Sequence, residues 1–311
     1  MGEKQRRRLY WILTYLIALV GVGVLLYPLL SDVWNRWRDS SLVVQYRKTV
    51  ASIPDTTYEQ IRKDAQAYNA AHPVNVITDV FSFSEESEDH KTYLTLLDPN
   101  GNGLMGVLEI PKIGQELPIY HGLSAEVLEQ GVGHLEGTSL PIGGDSTHTA
   151  LAAHRGLPGK KLFTDLDQME PGDQFYLHVL SETLAYQVTD VLTVLPENTE
   201  TLTIEPGKDY CTLVTCTPYG INTHRLLVRG ERVPYSEQEQ KQQASERNVV
   251  REIRNLPLKL VCVGLIIIII FVPIIRWVLD RKKKQQENPS ENRPPKGTTK
   301  KAGENDEKQE E

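Results

Sequence analysis

Tyr210-Cys211-Thr212-Leu213-Val214-Thr215-Cys216-Thr217-Pro218-Tyr219-Gly220-Ile221-Asn222-Thr223-His224-Arg225-Leu226-Leu227-Val228-Arg229-Gly230 is the stretch from which the chain is best read. A β-rich run ends at Cys216, a Pro/Gly/Asn turn comes next, and a second β-rich run opens at Arg225. The turn is short, so the two runs should pair as adjacent strands, with Cys216 and Arg225 near the same end. A thiol beside a guanidinium is a candidate nucleophile, because nearby positive charge favours the thiolate that attacks carbonyl carbon. A base is still required, and Ala152-Ala153-His154-Arg155-Gly156 offers one at the end of another apolar run, 149–153. By itself Cys216 would read as a buried structural thiol. Its neighbourhood argues for chemistry.

Outward from this hairpin, residues 104–233 alternate short β-type runs with Gly/Pro/Asn turns, the pattern of a barrel or sandwich. The candidate strands are 106–112, 117–121, 147–153, 174–180, 184–194, 210–216 and 224–233, with a short helix at 124–129. Upstream, 31–71 reads as helical. Thr56-x-x-Glu59 has the form of a capping box, Tyr58, Ile61, Ala65 and Tyr68 share one face, and Pro73 bounds the end. Residues 74–100 are mixed, and Asp98-Pro99-Asn100-Gly101-Asn102-Gly103 is dense turn chemistry. No internal repeat is visible.

The chain has 311 residues and a formal net charge of −7, which gives nucleic-acid binding no electrostatic support. Charge placement says more than the sum. Lys4, Arg6, Arg7 and Arg8 precede an apolar stretch from Leu9 to Leu30, and Arg281, Lys282, Lys283 and Lys284 come after a second at 258–279. Basic flanks tend to stay in the cytoplasm, so two spans are expected with both termini inside and residues 31–257 outside. The first stretch is too long for a signal-peptide core and lacks a small-x-small cleavage site, which makes it a retained anchor. The second has an uninterrupted core, 260–275, slightly short of the roughly 20 residues that cross a bilayer. Lys259 and Arg276 can snorkel outward and Trp277 suits the interface.

Only three cysteines occur. Cys262 lies inside the second apolar stretch. Cys211 and Cys216 are five apart on one strand and hence on opposite faces, so Cys216 is expected to be a free thiol. Eight histidines compete for the base role. His72, His90 and His178 have no link to the Cys216 turn and read as surface or packing residues. His121, His134 and His148 read as makers of structural hydrogen bonds. His224 is a rival, but adjacent strand residues point to opposite faces, so only one of His224 and Arg225 can aim at Cys216. No paired Cys/His spacing suggests a metal site, and no cofactor is implied.

Residues 212–225 resemble the active-site signature of sortases, the cysteine transpeptidases of Gram-positive surfaces, and most resemble class C, the pilin-polymerising branch. Supporting segments are Met105–Ile113, Leu117–Gly122, Gly133–Pro141 and His154–Leu157, and the likeness runs in order over roughly residues 31 to 235. It implies a closed β-barrel of about eight strands with the site at one end of the last two. It also implies Cys216 as nucleophile, His154 as general acid and base, and Arg225 as oxyanion stabiliser. In that family the Cys and His act as separately charged partners rather than a tight pair. The implied substrate is a Leu-Pro-x-Thr-Gly sorting signal cut between Thr and Gly, with a lysine amine on another pilin subunit as acceptor.

Class C members usually carry an Asp-Pro-aromatic lid. Here the matching place reads Thr78-Asp79-Val80-Phe81, so Asp79 and Phe81 are the candidate lid residues and Val80 stands where proline is expected. Losing the proline removes a backbone constraint and should loosen the lid. Leu140-Pro141-Ile142-Gly143-Gly144 and Leu195-Pro196-Glu197-Asn198-Thr199 look superficially like sorting signals, but neither precedes a C-terminal apolar segment, so both read as loops. The expected organisation is a basic N-terminus (1–8), a span (9–30), a helical arm (31–75) and a lid-like segment (76–103). The catalytic barrel (104–235), a polar linker (236–257), a second span (258–279) and a disordered cytoplasmic tail (280–311) complete it. The competing readings are a housekeeping sortase that attaches proteins to the cell-wall precursor, and a non-catalytic surface scaffold.

Overall fold

A computed structural model describes residues 2–71, 88–238 and 264. The chain divides into two units, 1–249 and 250–311, and the barrel with its helices belongs to the first. Asp79 and Phe81, His72, the second apolar stretch apart from Gly264, and the tail lie outside the described residues, as does the linker beyond 238.

Eight strands close into a barrel: β1 (Leu104–Ile110), β2 (Gln115–His121), β3 (Val132–His134), β4 (Thr147–Ala152), β5 (Gln174–Val179), β6 (Glu182–Val194), β7 (Asp209–Thr217) and β8 (His224–Val233). The strand order is β1-β2-β3-β4-β7-β8-β6-β5, with β5 returning to β1. Closure pairs every strand of the barrel on both sides, so each ladder finds its partner within the chain. Two pairs are parallel, β2 with β3 and β4 with β7; the rest are antiparallel. β3 has only three residues, too few to show a period of two, which is why the sequence pattern displays seven strands where the structure has eight.

Two apolar clusters sit on opposite faces of the β4-β7-β8 sheet. The larger fills the barrel with Leu108, Ile119, Phe175, Leu177, Cys211, Leu213 and Val228 among others. The smaller lies on the outer face and joins Ala150 and Ala152 of β4, Val214 of β7 and Leu227 of β8 to Leu135 and Leu202. Alternation along each strand assigns the faces, Cys211 and Leu213 inward and Val214 outward.

Among the described residues, four α-helices accompany the barrel: α1 (Glu3–Ser52), α2 (Asp55–Ala71), α3 (Glu88–Tyr93) and α4 (Ala125–Gln130). α1 runs without a break through position 30, so the expected boundary between span and arm is not a structural one. The arm instead breaks at Ile53, whose extended backbone suits a residue before proline. Helix α2 opens at Asp55, directly after Pro54, so Thr56 lies in its first turn and is not the capping residue expected. The apolar face of α2 is the expected one: Ala65 and Tyr68 are buried, and Tyr58 and Ile61 pack on the core. Tyr46 pins α1 to the barrel, its hydroxyl donating to the Met105 carbonyl and accepting from the Leu180 N–H, both at 2.8 Å. Taken over the described residues, no helix is long and apolar enough to cross a membrane.

Candidate active site

The β7–β8 register places Cys216 directly opposite Arg225, and Thr217 opposite His224. One pair deeper along the same face stand Val214 and Leu227 in the outer cluster, as a period of two places pairs two residues apart on one face. Cys216 and Arg225 therefore share the outer face, and His224 takes the other. The turn between the strands is tight, with the N–H groups of Ile221 and Asn222 both on the Pro218 carbonyl at 3.0 Å and Asn222 at φ 62°. That left-handed backbone suits asparagine better than a branched residue. The Arg225 Nη1 donates to the carbonyls of Asn222 and His224, both at 3.3 Å.

His154 comes from the other neighbour of β7. In the parallel β4–β7 ladder Ala152 pairs with Val214, and alignment persists past the strand end. The Ala153 N–H donates to the Val214 carbonyl at 3.2 Å, and the Thr215 hydroxyl donates to the Ala153 carbonyl at 2.8 Å. Continuing the register by two residues brings position 154 level with Cys216. Three adjacent strands thus bring positions 154, 216 and 225 to one end of the sheet, with neighbouring strands about 4.8 Å apart. His154, Cys216 and Arg225 are all half-buried.

Arg155 anchors this end, a role the sequence pattern does not reveal. Its guanidinium donates to the Thr217 hydroxyl at 3.1 Å, to the Thr164 carbonyl at 3.2 Å and to Asp167 at 2.5 Å. The residue after His154 is thereby tied to the residue after Cys216. Gly156 comes next at φ 80°, and a Cβ there would meet the Tyr219 ring at 2.8 Å, so only glycine lets that ring close over the loop. The one signal in the sequence is the Arg-Gly pair after His154, whose partners are far away along the chain.

The remaining described histidines are engaged elsewhere. His148 donates from Nδ1 to the Thr203 carbonyl (2.9 Å) and accepts at Nε2 from the Thr212 hydroxyl (2.8 Å), and burial pulls its pKa down to about 4. His134 donates to the Ser139 carbonyl and meets the Tyr93 hydroxyl, both at 2.9 Å, and burial lowers it likewise to about 4. His121 contacts the carbonyls of Leu96 and Gly103. His90 pairs with Glu136 at 2.5 Å, and His178 lies between Glu109 and Thr183. Both described cysteines are thiols rather than disulfides: Cys211 is buried and Cys216 half-buried, and burial raises the Cys211 thiol well above its usual range. No group of ligating side chains able to hold a metal occurs among the described residues.

A thiol, an imidazole and a guanidinium at one barrel end are the groups that cysteine acyl transfer uses. The family described as "Sortase domain" matches residues 108–233. Sortase D of Bacillus subtilis is 30% identical over 155 residues, covering 49% of this chain and 75% of that protein. The crystal structure of sortase C from Streptococcus pneumoniae superposes with a TM-score of 0.57 at 46% identity, covering 63% of this chain and 97% of that one. Sortase C1 of Streptococcus agalactiae gives 0.58 at 45% identity, covering 63% and 100%. The chain belongs to the sortase family and is a cysteine transpeptidase. Within that family it falls with the class C, pilin-related branch.

Proposed function

We propose that this enzyme is a membrane-anchored, pilin-polymerising sortase in which Cys216, His154 and Arg225 carry the chemistry. The observation that carries the reading is the register that sets Cys216 opposite Arg225 and level with position 154. The Cys216 sulfur attacks the threonine carbonyl of a Leu-Pro-x-Thr-Gly signal. A tetrahedral oxyanion forms, and the Arg225 guanidinium donates hydrogen bonds to it. As the C–N bond breaks, His154 gives its proton to the departing glycine amine, which leaves as a neutral species. The thioacyl-enzyme splits one difficult exchange into two easier ones. In the second, neutral His154 takes a proton from the incoming lysine amine, which attacks the thioester carbonyl and expels the Cys216 thiolate. The enzyme ends in the protonation state in which it began.

Anchoring has its own support. The run from Leu9 to Leu30 contains no charged residue, and α1 presents Ile12, Leu16, Ile17, Leu19 and Val24 to the exterior. Just past its end Trp34 and Trp37 are exposed and 5.5 Å apart, where an interfacial aromatic belt would sit. We place the second span at 258–279 and the catalytic barrel outside the cell. A lid formed by Asp79 over Arg225 and Phe81 over Cys216 belongs to the same proposal, on the position of that pair in the sequence.

Incubating the enzyme with a pilin subunit bearing the sorting signal tests the reading. An isopeptide-linked ladder is expected. Transfer to a cell-wall precursor amine without any ladder would turn the assignment to the housekeeping alternative, and an intact signal would sink the substrate class.

A further inference from the structure

The segment that starts at His154 does not end at Arg155. It makes an excursion over 155–162 and returns at Phe163, whose N–H donates to the His154 carbonyl at 3.2 Å. Arg155 holds the root of this loop. Its outer part is held by α1, more than a hundred positions upstream. Ser31, Asn35 and Asp39 recur every four residues and so lie on one face of that helix. Ser31 and Asn35 both donate to the Gly159 carbonyl, at 3.2 and 2.7 Å. Gly159 has φ 84°, and a Cβ there would collide with the Ser31 hydroxyl, so the contact requires glycine. One residue on, the Lys160 ammonium reaches Asp39 at 3.5 Å and donates to the Gln130 carbonyl at 2.5 Å. The latter lies at the C-terminal end of α4, where a cation is favoured.

Both charged side chains are 7% exposed. Burial lowers the Lys160 pKa and raises that of Asp39, each partly offset by the charge of the other. A buried ion pair is a poor source of stability, since well-packed apolar residues of the same volume usually do as well or better. What an apolar pair lacks is direction. The ammonium can satisfy a carboxylate on α1 and a carbonyl on α4 in one position of the loop only.

We propose that α1 sets the position of the catalytic histidine: Asn35, and Lys160 clasped between Asp39 and the Gln130 carbonyl, are positioning residues for acyl transfer. They touch no reacting atom. They act through the loop closed on the His154 carbonyl. The inference rests on His154 as the acid–base group. Changes in α1 should therefore slow the chemical steps and leave peptide binding alone.

The test uses the full chain in detergent with a fluorogenic Leu-Pro-x-Thr-Gly peptide. The variants are Asn35→Ala, Lys160→Met, the double Asp39→Leu/Lys160→Met, and His154→Gln as reference. Lys160→Met leaves the buried Asp39 with only the partly exposed Arg38 guanidinium, 3.8 Å away, so a lower Tm is expected. The double variant should regain Tm to within a few degrees of wild type. In both Asn35→Ala and the double variant, kcat should fall about tenfold with KM within about twofold, as expected for a catalytic group displaced by less than 1 Å. The pH profile of Cys216 alkylation, which needs no substrate, should shift in both. Wild-type kcat and alkylation in these variants beside an inactive His154→Gln would overturn the inference alone, as would a change confined to KM. Full activity in His154→Gln would bring down the acid–base assignment and this inference with it.

Discussion

β4, β7 and β8 bring a cysteine, an arginine and a histidine to each end of one sheet. β7 holds Cys211 and Cys216, β8 holds Arg229 and Arg225, and the line of β4 holds His148 and, just past its end, His154. At the far end each group is spent on structure. Arg229 is bound to Asp190 at 2.8 Å and Glu205 at 3.4 Å, with its guanidinium 4.9 Å over the Tyr210 ring. His148 is neutral between Thr203 and Thr212, and Cys211 faces the barrel interior. At the near end the thiol moves to the outer face, level with position 154 and opposite Arg225. Residue type says nothing about which end reacts. In the proposed site strand parity and solvent access make the difference: five positions along β7 change the face, and the turn at 218–222 is exposed.

The contrast breaks first on the cysteines. Cys216→Ala should abolish peptide cleavage, a loss of about 10⁴-fold or more, because residual catalysis by the other groups lacks a nucleophile. Cys211→Ala should keep turnover within about threefold, costing only some core packing. Peptide cleavage in both variants, with mass spectrometry after a thiol-directed reagent, checks this. A reactive Cys211 or an active Cys216→Ala protein would dissolve the distinction between the two ends.

The arginines give the next largest effect. Lysine keeps the charge but loses the planar donor fork. Arg225→Lys should therefore lower turnover about 10²–10³-fold, the usual loss for one oxyanion donor. Arg229→Lys should stay within about threefold in turnover and register instead as a lower Tm, since it loses the two-nitrogen contact to Asp190. A fall below about fivefold for Arg225→Lys would make that residue structural too.

Much of this architecture is open to sequence reading, for identifiable reasons. The β7–β8 hairpin shows itself through β-rich runs around a Pro/Gly/Asn turn, and that hairpin places two of the three proposed site residues. Parity along β7 separates Cys211 from Cys216 without coordinates. β3 is invisible because three residues show no period, and α3 is masked by the acidic run around it. The break at Ile53–Pro54 is legible from proline, but the Thr56–Glu59 pattern competes with it and points two residues too far on. Arg155 and the grip of α1 on Gly159 and Lys160 are hidden, because their partners lie between 9 and more than 120 positions away and share no pattern.

The histidines sharpen the contrast through pH. His148 and His134 are neutral in the fold, with pKa values lowered to about 4, against about 6.5 in the unfolded chain. A depressed histidine pKa means that the unfolded state takes up protons first. Stability is thus complete above pH 6.5 and is lost as pH falls from there towards 4. Between pH 7.5 and 5 the loss should be about 2 kcal/mol for each histidine. Urea unfolding at the two pH values measures it, and His148→Gln should remove its own share of about 2 kcal/mol, leaving those of His134 and of His121, which burial also lowers. An unchanged slope in His148→Gln would mean that the far-end histidine is not held neutral by its burial.

The smallest effect concerns access to the near end. We expect the arm bearing Asp79 and Phe81 to restrain approach to Cys216, with Asp79 pairing Arg225 and Phe81 covering the sulfur, so that substrate must displace it. An exposed ion pair is worth only about 0–1 kcal/mol. Most of the closure would come from burying Phe81, up to roughly 1.5–3 kcal/mol. Val80 in place of proline leaves the backbone freer in the open state, which raises the cost of closing and shrinks the net effect. Replacing both residues by alanine should therefore speed alkylation of Cys216 by about tenfold or less, and raise hydrolysis of a short sorting peptide in step. Cys211, buried in the barrel, should stay unlabelled in both proteins and serves as the internal reference. Equal labelling rates for Cys216 in wild type and the double variant would reduce the arm to a packing element, and the difference between the two ends would then rest on the strands alone.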